Sequence, residues 1–118
     1  EVMEEALQEG VCDVIGLGRP LCSHPDTPND LLSGRITRAV NFEHQLKLAD
    51  SGLFSPTSSV LPLKLLNVLG SQAWYYQQIF RLADGKPADT KMGILKAFSA
   101  YYWDELTTAR RVKKAAKR

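Results

Sequence analysis

Two glycines and an arginine follow a short apolar run near the start of this 118-residue chain. The run, residues 11–15, has the length and the branched side chains of a buried parallel strand. Such strands carry their chemistry just beyond the carboxyl end, here Gly16, Gly18 and Arg19. Glycine lets the main chain approach a ligand, and a planar, permanently charged guanidinium suits a phosphate. The pattern predicts a phosphate site at Gly18 and Arg19, with a solvated strand end as the alternative.

Helices are predicted on both sides of this strand. Apolar residues at helical spacing upstream predict an amphipathic helix that ends near Gly10. Downstream, Thr27 is a candidate N-cap, Pro28 a first helical residue and Gly34 a stop. The predicted order is helix, buried strand, glycine-arginine turn and helix, which is an α/β arrangement.

The same stretch carries a family pattern, formed by Ala6-Leu7, Gly10, Asp13-Val14-Ile15, Gly18-Arg19-Pro20-Leu21, Pro25-Asp26, Pro28 and Leu31-Leu32-Ser33-Gly34. These residues resemble the closing strand and helix of the Old Yellow Enzyme family, the NADH:flavin oxidoreductases. Members are FMN-dependent (β/α)8 TIM barrels that take hydride from a nicotinamide and commonly pass it to an activated alkene. The resemblance implies that Gly18 and Arg19 hold the FMN phosphate and that NAD(P)H is the co-substrate. It implies no catalytic residue in this chain, because the family's proton donor and flavin-ring contacts come from earlier strands.

Length leads to the prediction of a C-terminal fragment, because a whole barrel of this kind needs roughly 250 residues. Residues 1–50 are predicted to form the last β/α units of the barrel. Residues 51–60 are rich in serine, glycine and proline and are predicted to form a linker. Residues 61–118 are predicted to form a helical extension with a basic tail. The acidic opening residues do not resemble a secretory signal, so we expect a cytoplasmic protein.

The extension carries two apolar stripes at helical spacing. One runs from Leu65 to Ala83, before Gly85, and the other begins near Lys91, so the pattern predicts an antiparallel helical hairpin. Its aromatic residues are interpreted as core and docking surface instead of a base-stacking platform. Six of the fifteen basic residues lie in 110–118 and are interpreted as a solvated helix end. Nucleic acid is therefore not predicted as a partner. A membrane is not predicted either, because the longest charge-free run, from Leu65 to Phe80, is shorter than the ~20 residues that cross a bilayer. The oligomeric state is left open.

Two other patterns are weaker. Ser23, His24 and Asp26 have the residue types of a hydrolase triad but sit too close together on a proline-containing loop. Cys12 and Cys22 lack metal-ligand spacing and are interpreted as reduced thiols, so no metal is predicted. The sequence thus favours part of an FMN-dependent NAD(P)H oxidoreductase. The alternatives are a non-catalytic interaction module that docks through its aromatic hairpin, or the end of another FMN barrel such as a dihydrouridine synthase-like enzyme.

Overall fold

The computed structural model describes residues 2–116, and the regular elements of this part of the chain are all helices. Two long helices in the second half of the chain pack against each other, and the first of them also contacts a 3₁₀ turn that lies far upstream in the sequence. These contacts position the candidate site. The elements are α1, Val2–Gln8; the 3₁₀ turn, Arg19–Cys22; α2, Thr27–Leu32; α3, Leu61–Ala83; and α4, Ile94–Ala115.

The strand predicted over residues 11–15 does not form. This segment has irregular backbone, and Val11 and Val14 leave 73% and 81% of their surface exposed. A strand needs a neighbour whose N–H and C=O groups pair with its own, and none of the described residues forms one. The α/β class and the barrel fragment predicted from the sequence are therefore wrong, since the described chain has helices and no sheet.

The two short helices predicted on either side of that segment are present as α1 and α2. The start of α2 differs by one residue from the prediction, because Asp26 is the N-cap and Thr27 is already helical. The Thr27 hydroxyl is fully buried and donates to the His24 carbonyl oxygen at 2.7 Å. Gly34 follows α2 with φ of 70°, a conformation that favours glycine and ends the helix as predicted.

The long helix predicted before Gly85 is also present. α3 begins at Leu61, four residues before the predicted stripe, with Pro62 in its first turn. Proline suits that position because its fixed φ is helical and its missing N–H would have no intrahelical partner there. Gly85 follows the helix with φ of 70° and provides the predicted stop.

The core is small and centres on Trp74 of α3, which is fully buried. Its indole N–H donates to the Met92 carbonyl oxygen at 2.9 Å, so the polar edge of the ring is satisfied inside the core. Phe42 from the connector between α2 and α3 packs on the indole with a 5.0 Å ring separation. The buried hydrophobic residues of the described chain are Leu46, Ala73, Trp74, Ile94 and Ala97.

α3 and α4 do not form the predicted antiparallel hairpin. A Cβ added to Gly70 would lie 3.3 Å from the Cβ of Ile94, and the ring of Tyr76 stacks on Tyr101 at 5.1 Å. Residue numbers therefore rise together along the two helices, whereas in an antiparallel hairpin they run in opposite directions. α4 begins beside the middle of α3, and Gly70 leaves the space that Ile94 fills.

Side chains of α3 hold the connection that makes this arrangement. The Gln78 side-chain oxygen accepts the Asp89 N–H at 2.7 Å, and Gln78 is fully buried. The Arg81 guanidinium donates through Nε to the Pro87 carbonyl oxygen at 2.9 Å. The chain therefore runs back along α3 between residues 84 and 93 before α4 begins. The sequence prediction missed this return because it assumed a short turn.

Candidate functional site

A cleft of about 660 Å³ lies between the 3₁₀ turn, the connector and α3. Arg19 and Glu43 supply its charged groups, and Val68 and Ile79 supply apolar surface. Tyr75 and Tyr76 of α3 add aromatic rings. A cleft with apolar walls and a few convergent polar groups is the usual form of a small-molecule site. The cleft is therefore the candidate functional site, and it contains the arginine singled out in the sequence.

Arg19 is the first residue of the 3₁₀ turn and forms an ion pair with Glu43. Their side chains are 66% and 48% exposed. The guanidinium carbon lies 5.9 Å from the centre of the Tyr75 ring, at the outer limit of a cation–π contact. An exposed ion pair of this kind contributes about 0–1 kcal/mol, because water screens the attraction. Arg19 can therefore exchange Glu43 for another anion at small cost.

Gly18 precedes Arg19 and leaves open space beside the main chain. A Cβ added to Gly18 would meet no other atom within 4 Å. The Gly18 carbonyl oxygen accepts the Leu21 N–H at 3.1 Å, which fixes the start of the 3₁₀ turn. The protein itself therefore does not require a glycine here for packing, and the open side is accessible to a ligand.

Glu43 and Tyr75 were missed in the sequence because they lie 24 and 56 residues from Arg19 and follow no spacing rule. Burial raises the pKa of the Tyr75 hydroxyl, with the nearby Arg19 cation opposing that shift. The phenol therefore stays neutral at physiological pH and can both donate and accept a hydrogen bond. Tyr75 therefore adds no charge to the site, where Arg19 and Glu43 are the charged groups.

The hydrolase-like triple is not assembled. The Ser23 hydroxyl donates to the Pro20 carbonyl oxygen at 3.3 Å, away from the imidazole of His24. His24 Nε2 instead lies 2.7 Å from Asp30 Oδ2, and Arg35 lies 2.5 Å from the other oxygen of the same carboxylate. His24, by a hydrogen bond, and Arg35, by an ion pair, hold the Asp30 carboxylate and tie α2 to its flanking loops, so these residues do not supply a nucleophile and base.

This cluster predicts an acid-sensitive contribution to stability. The hydrogen bond from His24, helped by Arg35, lowers the pKa of Asp30 below its ordinary value. Asp30 therefore stabilises the folded chain above about pH 4, and this contribution is lost as the pH falls through the lowered pKa. We expect Asp30→Asn to flatten the acid limb of a urea-denaturation series between about pH 5 and pH 3. Asp13→Asn, at an exposed carboxylate in the irregular segment, is the control, and equal acid limbs in Asp30→Asn and the unmodified chain would contradict the role of Asp30.

Other site types are not found in the described part of the chain. Cys12 and Cys22 are free thiols, and residues 2–116 contain no cluster of side chains able to hold a metal ion. None of the described helices combines the length and the apolar character needed to cross a bilayer. The cleft thus stands as the candidate site of residues 2–116.

Comparison with known proteins returned no match among protein-family models, curated proteins or solved structures. The resemblance carried by the Gly18-Arg19 segment therefore remains a prediction from the sequence. The case for a functional site depends on the geometry around Arg19.

Proposed function

We propose that this chain is part of an FMN-dependent NAD(P)H oxidoreductase and that Arg19, with the main chain at Gly18, binds the FMN phosphate. The position of Arg19 is the main support for the proposal. Its guanidinium is exposed, is held by a weak surface pair with Glu43, and stands beside a cleft with aromatic and apolar walls. A phosphate dianion carries more charge than the Glu43 carboxylate and can accept two parallel N–H bonds from the guanidinium, whereas Glu43 accepts through Oε1 alone.

The residues of the chain fit the cofactor's phosphate in charge and in space. Arg19 provides a permanent positive charge, and Gly18 leaves an open approach to the main chain. Glu43 is the competing anion and must move away from Arg19 when a phosphate binds. The FMN supplies the chemistry when bound, by accepting hydride from a nicotinamide and passing it to an electron-poor acceptor. We assign no proton donor within this chain, and we place its activity in the cytoplasm.

The first test compares FMN with riboflavin, which lacks the phosphate, by fluorescence titration of the 118-residue chain. We expect FMN to bind more tightly than riboflavin, although both bind weakly. Arg19→Ala should weaken FMN binding by about 2 kcal/mol, or roughly thirtyfold, and leave riboflavin binding unchanged. Arg38→Ala removes the same charge from an exposed position and is the matched control. Equal affinity for FMN and riboflavin would reject the phosphate role of Arg19.

Two further substitutions are expected to change FMN affinity in opposite directions. Glu43→Gln removes the competing carboxylate and should strengthen FMN binding by a few fold, because no Arg19–Glu43 ion pair then has to break when the phosphate binds. Gly18→Ala should leave stability nearly unchanged, since the new methyl group meets no atom of the protein within 4 Å. It should nevertheless weaken FMN binding, because the new methyl group occupies the space through which the phosphate approaches the main chain. A loss of stability in Gly18→Ala, or weaker binding in Glu43→Gln, would contradict this geometry.

A second candidate function is a non-catalytic interaction module. Trp103 and Phe80 are 65% and 43% exposed, so part of the aromatic surface of α3 and α4 is not used in the core. Exposed aromatic groups of this size are typical of docking surfaces. The absence of any FMN binding, together with a stable fold, would favour this second function over the flavoenzyme.

A further inference from the structure

The second half of α4 presents an uncovered apolar surface. Residues 103–116 are exposed, apart from the half-buried Thr107. Trp103 and Leu106 are 65% and 54% exposed and lie three residues apart, on one face of the helix. This face lies beyond the contacts that α4 makes with Gly70 and Tyr76 of α3.

The same face is strongly basic. Arg110, Lys113 and Lys114 follow Trp103 at spacings of seven, ten and eleven residues, which places all three on the face of Trp103 and Leu106. Residues 110–116 contain four basic residues and no acidic one. None of the four forms an ion pair with another described residue. This outer α4 face thus combines an apolar part with a cationic part.

α1 has the complementary character. Residues 2–13 contain four acidic residues and no basic one. Val2 and Glu5 are three residues apart and share one face of α1. Glu9 lies one residue beyond the end of α1, and its N–H still bonds the Glu5 carbonyl oxygen at 2.8 Å, which keeps it near the same face. No residue of α1 is buried, and Val2 is 78% exposed. This α1 face thus pairs an apolar group with carboxylates, as the outer α4 face pairs apolar groups with cations.

We infer that the α1 face of one copy docks on the outer α4 face of a second copy. Each copy carries both faces, so two copies can exchange the contact reciprocally and close a symmetric dimer. Opposite charges meet in both halves of this dimer, and Val2 is covered together with Trp103 and Leu106. The two faces are short, so the dimer is weak and depends strongly on salt. This inference uses residues outside the cleft and does not depend on FMN.

Sedimentation equilibrium of the full 118-residue chain tests the self-association. We expect a reversible dimer at about 100 μM protein in ~50 mM NaCl, with a dissociation constant at least about tenfold higher in ~500 mM NaCl. A monomer at both salt concentrations overturns the inference. A dimer that is equally tight in both also overturns it, because charge would then not hold the interface. Open chains of many copies would reject the closed dimer.

Charge reversal identifies the interface. Arg110→Glu/Lys113→Glu and Glu5→Lys/Glu9→Lys should each raise the dissociation constant at least about tenfold, because like charges then face each other. An equimolar mixture of the two variants should restore association to within about threefold of the unmodified chain. Lys96→Glu, at an exposed position in the first half of α4, is the control and should have little effect. Circular dichroism verifies that each variant keeps its helices. Failure of the mixture to associate, while both variants stay folded, overturns the inference.

Discussion

Trp74→Ala is expected to cost about 3–5 kcal/mol of unfolding free energy. Trp74 is fully buried and contacts residues from α3, α4 and the connector. Its removal leaves a cavity in a core of few residues and leaves the Met92 carbonyl oxygen without its donor. Domains of this size are stable by roughly 5–15 kcal/mol, so the loss is a large fraction of the total. Urea denaturation followed by circular dichroism measures it.

Two control variants separate the contributions of the ring. Trp74→Phe keeps an aromatic side chain but removes the indole N–H. It should therefore lower the unfolding free energy less than Trp74→Ala does, and more than a substitution at an exposed position does. Trp103→Ala removes the same side chain from a position that is 65% exposed and should change stability by about 0.5 kcal/mol or less in the monomer. Similar losses in Trp74→Ala and Trp103→Ala would contradict the assignment of Trp74 as the centre of the core.

Asn67→Ala is expected to cost about 2–3 kcal/mol, because this one amide joins three segments of the chain. Asn67 is 3% exposed. Its oxygen accepts the Leu48 N–H at 2.8 Å, and its nitrogen donates to the carbonyl oxygens of Phe54 and Leu63, both at 3.0 Å. Alanine leaves the first two of these groups without partners. Hydrogen exchange should show the Leu48 amide losing protection, in addition to the fall in stability measured with urea.

A second substitution at Asn67 separates the contribution of its amide N–H donor from that of its amide oxygen. Asn67→Asp keeps an oxygen for the Leu48 N–H but loses the donor to Phe54 and buries a charge, so at neutral pH it should cost at least as much as alanine. Acidification protonates the carboxyl group and should recover part of the loss, because a protonated carboxyl donates again. Asn29→Ala, at an exposed amide in α2, is the control and should have little effect. Unchanged Leu48 protection in Asn67→Ala would reject the role of Asn67.

The helices could be predicted from the sequence where an apolar stripe and a terminal signal agree. The stripe that ends before Gly85 and the glycine after α2 both gave helix ends at or near those observed. The strand predicted over residues 11–15 was wrong because only one local signal, the apolar run, supported it. Apolar, branched residues indicate an extended segment, but pairing depends on a second strand that local pattern does not supply. The direction of α4 was missed because it depends on Gln78 and Arg81, whose roles show no periodic signal.

The candidate site was predictable in part. Gly18 and Arg19 stood out by type and position, and the structure places Arg19 beside a cleft. Glu43 and Tyr75 could not be found, because they reach Arg19 through long-range packing of the connector and α3. Asn67 did leave a signal, since it is a polar residue inside an apolar run, and buried polar groups need specific partners. Which partners it has could not be read from the sequence.

The parallel rise of residue numbers along α3 and α4 affects how this pair assembles during folding. Gly70 and Ile94 are 24 residues apart in sequence, and Tyr76 and Tyr101 are 25 apart. An antiparallel hairpin can close from its turn outward, with each new contact only slightly more distant in sequence than the last. Here the helix–helix contacts themselves all close loops of nearly the same length, so the progressive steps lie in the return segment. Its contacts with α3 join residues 6, 11 and 18 apart, through Arg81–Pro87, Gln78–Asp89 and Trp74–Met92. The pair should therefore close through the 84–93 segment, and substitutions that remove these contacts should slow its formation.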